Sequence, residues 1–287
     1  MANIKKKRSE NIEGNFYVDS TCINCGACYW VAPKTFELVS DQSAVVEQPK
    51  EADEDAAYRA LLACPVNSIG VEKDSKVNKV IQELPYELEN GIFHCGYHAE
   101  SSFGAASYFI KREKGNFMVD SPRFVKQFAN KLVELGGVEK HLLSHKDDIA
   151  DTDKYWEVFK TKRYIHSDDS IASTSDYEEL MKGENAFQID DDIVVIPVPG
   201  HTKGSVCYLY KNKYLFTGDH LAFSKDLNHL YAFKTACWYD FNIQIQSMKK
   251  LLAYDFEYVL PGHGRPIKMS KEEMKESLIK CIEWMEN

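Results

Sequence analysis

A chain of 287 residues has room for two domains, and a hydrophobic share of 44% can supply each with a core. A net charge of −9 provides no basic footprint for nucleic-acid phosphates, and no apolar run approaches the ~18 residues of a membrane span. The first residues lack the apolar stretch of a secretion signal, so a reducing cytoplasm is the expected compartment.

Residues 1–14 carry no pattern, and the basic run Lys5-Lys6-Lys7-Arg8 reads as a solvated lead-in. Phe16-Tyr17-Val18 reads as a short strand, residues 33–36 as a helical turn, and Ala44-Val45-Val46 as a second strand. Residues 52–63, rich in Ala, Glu and Leu, predict a helix stopped by Cys64-Pro65. Ile69-Gly70-Val71 closes this first unit, and the charged stretch 73–89 reads as a linker. Strands are predicted over 92–97, 105–111 and 116–120, then an amphipathic helix over 125–135 ending at Gly136-Gly137. A strand over 138–144 ends at His145, and the apolar strand 193–197 leads to Gly200-His201. Strands 206–210 and 214–217 follow, the second ending at Gly218-Asp219. After a helix over 244–254, Tyr258-Val259-Leu260 ends at Pro261-Gly262-His263. Ser270, with Glu273 three residues on, opens the last helix as a capping box. Strand ends thus deliver His145, His201, Asp219 and His263 to loops, which is where α/β proteins build their sites.

The eight cysteines separate by position. Cys22, Cys25 and Cys28 crowd one loop, and Cys64 precedes Pro65. Disulfides do not persist in a reducing compartment, so such spacing points to metal. Three thiolates on one loop cap one face of an iron–sulfur cube, and small Gly26 and Ala27 let backbone amides approach the sulfides. The remote Cys64 supplies the last ligand, its direction fixed by Pro65. A zinc knuckle is the competing reading, but it pairs two C-x-x-C arms. A single copy of the motif predicts one cluster, [4Fe–4S], with a [3Fe–4S] form left open. Cys95, Cys207, Cys237 and Cys281 stand singly and read as small buried hydrophobes. On these residues, the segment 14–72 resembles single-cluster bacterial ferredoxins.

The remainder, residues 90–287, resembles the metallo-β-lactamase fold, nearest its glyoxalase II branch. The resemblance rests on Gly200-His201-Thr202-Lys203-Gly204-Ser205, Phe216-Thr217-Gly218-Asp219, Pro261-Gly262-His263-Gly264 and the strand 116–120 ending in Asp120. It implies an α+β ferredoxin-like N-terminal domain followed by a metallo-β-lactamase αββα sandwich. It also implies that Asp120 steadies the loop that carries His145. Fusions of this kind are similar to cyanobacterial and plant proteins that join a ferredoxin segment to a metallo-hydrolase.

The family's H-x-H-x-D-H motif is altered here. His145 keeps the first position and Asp147 stands at the second His, while Ile149 and Ala150 replace the Asp and His of the second metal. A one-residue shift would let Asp148 act for the lost Asp. The resemblance therefore implies one zinc or iron ion, held by His145, Asp147, His201 and Asp219 with His263 nearby. A weakened two-metal site and a site without metal stay open. Two His and one carboxylate also suit mononuclear iron(II), and the persulfide dioxygenases of this fold look similar.

Three functions follow as expectations. The first is a glyoxalase II-like hydrolase with His145, Asp147, His201 and Asp219 as its catalytic residues. The second is an oxidoreductase whose cluster passes electrons to an iron or a partner, and the third is an electron carrier or redox sensor. The expected partner is a small-molecule substrate or a redox protein. His94 and His98, the Asp168-Asp169 turn after His166, His220, and the aromatic Tyr231, Trp238 and Tyr239 are further candidates to surround a site.

Overall fold

Short apolar runs broken by turn residues build strands here, and polar stretches with a recurring apolar face build helices. The computed structural model describes residues 2–73 and 76–287. It divides into two units. The first runs to Val138 and adds Ala150–Lys160, and the second holds Glu139–Ile149 and Thr161–Asn287.

The first unit opens with β1 (Phe16–Val18), α1 (Ala27–Val31), β2 (Phe36–Val39), β3 (Gln42–Val45), α2 (Glu54–Ala63) and β4 (Ile69–Val71). β1 pairs antiparallel with β4, and β2 with β3 as a hairpin. Phe16 meets Tyr58 edge to face at 5.0 Å, which ties β1 to the buried side of α2. Next come α3 (Val77–Gln82), β5 (Tyr86–Glu89), β6 (Ile92–His94), β7 (Tyr108–Ile110) and β8 (Phe117–Val119), with β5 to β8 forming an antiparallel meander. Helices α4 (Lys126–Glu134) and α5 (Thr152–Phe159) complete the unit.

Over the expected linker 73–89 the chain forms α3 and β5, while residues 74 and 75 lie outside the described residues. Val80 and Leu84 are buried there, one helical turn apart, and share a core with Phe16, Phe109, Phe128 and Tyr155. The lead-in also departs from its solvated reading. Arg8 is buried and donates from Nη1 to the Ser43 carbonyl at 2.7 Å and from Nη2 to that of Val39 at 3.2 Å. The guanidinium thus ties the lead-in to the β2–β3 hairpin.

In the second unit β9 (Lys140–Leu142), β10 (Lys162–His166) and β11 (Glu179–Met181) run parallel. A second sheet has the order β12 (Phe187–Asp190), β13 (Ile193–Pro197), β14 (Val206–Tyr210), β15 (Tyr214–Gly218), β18 (Tyr258–Pro261), β19 (Ile267–Lys268). Between β15 and β18, β16 (Ala222–Ser224) and β17 (His229–Tyr231) form a hairpin. Helix α6 (Phe241–Leu251) is capped by the Asp240 side chain, and α7 (Lys271–Glu286) carries the expected Ser270–Glu273 capping box. Ile196, Leu209, Leu215, Met248 and Leu278 form this unit's core.

This topology gathers the strand ends. β15 and β18 are parallel neighbours with Gly218 opposite Pro261, so Asp219 and His263 emerge side by side. The Ser144 carbonyl takes the Val206 amide at 2.9 Å, which brings the end of β9 to the start of β14. No helix among the described residues is long and apolar enough to cross a membrane.

Candidate functional site

Cys22, Cys25, Cys28 and Cys64 line one cavity in the first unit, together with Val18, Ile23, Ala27, Val66 and Ile69. Gly26 adopts a left-handed backbone (φ +85°), which turns the cysteine loop into α1, the helix that carries Cys28. All four cysteines are free thiols, with Cys28 and Cys64 buried and Cys22 and Cys25 half-buried. Burial pushes the Cys25 thiol up to about 12 and the Cys28 thiol higher still. Thiols in such an apolar pocket give up their protons when a metal takes the sulfur. The donor set fits an iron–sulfur cluster, because hydrogen-bond donors already face its sulfurs. The Asn24 amide lies 3.4 Å from Cys22 Sγ and the Ser68 amide 3.2 Å from Cys64 Sγ.

The second site lies wholly in the second unit. His145 Nε2 stands 3.9 Å from Asp147 Oδ2 and 3.8 Å from Asp219 Oδ2, while His201 Nε2 stands 3.5 Å and 3.7 Å from the same two oxygens. Ligand atoms tetrahedrally placed about 2.1 Å from one ion are about 3.4 Å apart, so these separations are close to those of a loaded site. The two imidazole Nε2 atoms are buried and have no hydrogen-bond partner. In the tautomer whose Nδ1–H donates to Ser144 Oγ, 2.9 Å away, His145 Nε2 presents a bare lone pair to two carboxylates. A cation relieves that repulsion, so the residues fit a single metal ion.

The charges favour the ligating forms. Burial pushes His145 down to about 4 against the pull of Asp219, which keeps the imidazole neutral. Burial would raise Asp219, but His263 pulls it well below the usual carboxylate range. His263 does so by placing Nδ1 2.8 and 2.9 Å from the two Asp219 oxygens, and its amide donates to Oδ1 at 3.0 Å. His263 therefore reaches the site through Asp219. His201 also holds Asp147 below its ordinary value, against burial.

Asp148 lies on the other side of His145, its Oδ2 3.9 Å from Nδ1, and can group with His145 and Asp219. Ile149, where the family motif has its Asp, packs on Leu143, Ile165 and Tyr177 instead. His220 is fully buried, and burial beside His201 pushes it down to about 3. The His166 ring is held at the end of β10 by the Gly183 carbonyl and the Asp168 amide.

One residue read as part of a solvated turn has a larger part. Asp169 is 1% exposed and accepts from the Lys146 amide at 3.0 Å, the Thr202 hydroxyl at 2.5 Å and the Gly204 amide at 2.7 Å. It ties the loop after His145 to the loop after His201. Gly204 permits this, since a Cβ there would come within 2.7 Å of the Asp169 carboxyl carbon. The residues around Trp238 close over the same loop, with the Trp238 and Tyr239 amides donating to the His201 carbonyl at 2.9 and 3.1 Å. Trp238 is 66% exposed, its ring 6.3 Å from that of His201, whereas Tyr231 packs on Phe233.

Residues 18–71 match the family model of the 4Fe-4S single cluster domain of ferredoxin I. The metallo-β-lactamase from Hirschia baltica is 13% identical, with a TM-score of 0.53 over 68% of this chain and 95% of that one. The DIM-1 metallo-β-lactamase is 18% identical, with a TM-score of 0.51 over 68% of this chain and 95% of that one. TMB-1 is 20% identical, with a TM-score of 0.53 over 70% of this chain and 97% of that one. Identity at this level carries the fold and leaves activity to the site. The chain therefore joins a segment that matches the 4Fe–4S single cluster ferredoxin domain to a metallo-β-lactamase fold.

Proposed function

We propose that this chain is a metalloenzyme in which Cys22, Cys25, Cys28 and Cys64 hold one [4Fe–4S] cluster and His145, Asp147, His201 and Asp219 hold one zinc or iron ion. Its reaction is hydrolysis of a small ester or thioester, the glyoxalase II-like class. The observation that carries this reading is that each of two buried imidazole Nε2 atoms without a hydrogen-bond partner stands 3.5 to 3.9 Å from a carboxylate oxygen of both Asp147 and Asp219. An ion bound there supplies polarisation of a carbonyl and acidification of a water. Asp147 is 42% exposed and stays a carboxylate, the form in which it would ligate the ion. His263 holds Asp219 in position, and the exposed Trp238 offers an apolar face to the substrate. The free thiols suit a reducing cytoplasm.

A second reading, an iron-dependent oxidoreductase, draws on the two-His, one-carboxylate set and on a one-electron carrier in the same chain. A redox protein would then be the partner. Metal analysis of the protein as purified separates the readings. About four irons and one zinc per chain support the hydrolase, and about five irons with no zinc support the oxidoreductase. About four irons and no other metal would overturn both and leave an electron carrier.

A further inference from the structure

Two serine hydroxyls lie on sulfurs of the four-cysteine cavity. Ser43 Oγ is 3.2 Å from Cys28 Sγ, and Ser68 Oγ is 3.4 Å from Cys64 Sγ. Both serines are 1% exposed, so water has no access to replace either contact. Their backbones are fixed as well. Ser43 sits in β3 with its carbonyl on the buried Arg8 guanidinium, and the Ser68 carbonyl takes the Asp19 amide at 2.8 Å. The other two sulfurs have surroundings of a different kind. Cys22 Sγ takes the Asn24 amide, and Cys25 Sγ abuts Gly104, where a Cβ would come within 2.8 Å.

We infer that Ser43 and Ser68 raise the reduction potential of the cluster through their hydroxyls, an inference that rests on the four cysteines holding that cluster. A ligated sulfur carries no proton, so in each pair the hydroxyl is the donor. Reduction takes one electron from an external donor and adds one negative charge, which the cluster shares with its sulfurs. A hydrogen bond strengthens as its acceptor becomes more negative, and more so in a buried site of low dielectric. Each hydroxyl therefore stabilises the reduced form more than the oxidised form. The serines act through the cysteine sulfurs and are positioning residues.

The test is redox titration of the full-length protein, followed by electron paramagnetic resonance, for wild type, Ser43→Ala and Ser68→Ala. Each alanine variant is expected to keep four irons and the visible absorbance of wild type. Each is also expected to lose about tenfold in the reduction equilibrium, ~59 mV downward for a one-electron couple. Fully loaded variants at the wild-type potential, or above it, overturn the inference and leave the cysteine assignment standing. A wild-type protein without a four-iron cluster removes the assignment and the inference together. Where an alanine variant assembles no cluster, the matching threonine variant decides. It keeps the hydroxyl and is expected at the wild-type potential, and a tenfold fall there overturns the inference.

Discussion

Asp169 shows how much one buried carboxylate can fix. Its three hydrogen bonds reach the Lys146 amide, the Thr202 hydroxyl and the Gly204 amide, so the loops carrying His145 and His201 move together or not at all. Asn at this position keeps the shape but turns one acceptor oxygen into a donor that meets other donors. Asp169→Asn is expected to weaken the second metal 10–100-fold, the usual cost of losing a group that orients ligands. Competition with a chromogenic chelator measures this, with the cluster absorbance as an internal control. Unchanged affinity in that assay would mean that the two loops hold themselves. Sequence did not reveal this role, because an Asp-Asp pair after a strand has the composition of a solvated turn and only the burial of Asp169 separates the two. His145, His201 and Asp219 were legible because each ends a strand inside a motif with its own glycines. His263 was legible as a neighbour, but its Nδ1 contact with Asp219 is a matter of ring orientation, which spacing does not encode.

β10 depends on a polar fastening as well as on its ladder. Its parallel neighbours give slanted, slightly weaker hydrogen bonds than antiparallel ones would. Arg163 in β10 donates from its amide, Nε and Nη2 to the Glu178 carboxylate just before β11, at 2.9, 3.0 and 2.9 Å. Burial would raise Glu178, but Arg163 pulls it down to about 2 from an ordinary 4.5. A carboxylate lowered in the folded state contributes its full stability above 4.5 and loses it as pH falls toward 2. The Glu178 side chain is 32% exposed, so solvent screening limits the contribution to roughly 1 kcal/mol. Glu178→Gln is therefore expected to lower the urea midpoint at pH 6, with the gap to wild type narrowing at pH 3. A gap that stays constant would assign the effect to shape and not to charge. Elements with a strong period or cap, such as α2, β13, α6 and α7, were legible in the sequence. β11 was not, because its Glu179-Leu180-Met181 is too short to alternate and takes its place from β10 and from this fork.

The two sets of candidate ligands lie in different units, the cysteines in the first and His145, Asp147, His201 and Asp219 in the second. The sequence shows why two sites exist, through two unrelated motifs, but not where the core divides. The charged stretch 73–89 looks like a boundary by composition, yet Val80 and Leu84 within it join the core that holds both Phe16 and Phe109. Apolar residues spaced one helical turn apart carry a core through polar sequence, and composition averages them away. Since each ligand set is complete within one unit, the metals are expected to load independently. His201→Ala removes one of four donors from the second site and should abolish its metal while the cluster absorbance stays at the wild-type level. Cys64→Ala should leave at most three irons in the cluster and keep the second metal at full occupancy. Iron and zinc counts on both variants, with their visible spectra, make the check. Loss of both metals from either variant would show that one centre must be filled for the other to form. A four-iron signal surviving in Cys64→Ala would instead remove Cys64 from the ligand set, and its contact with Ser68 would then be packing alone.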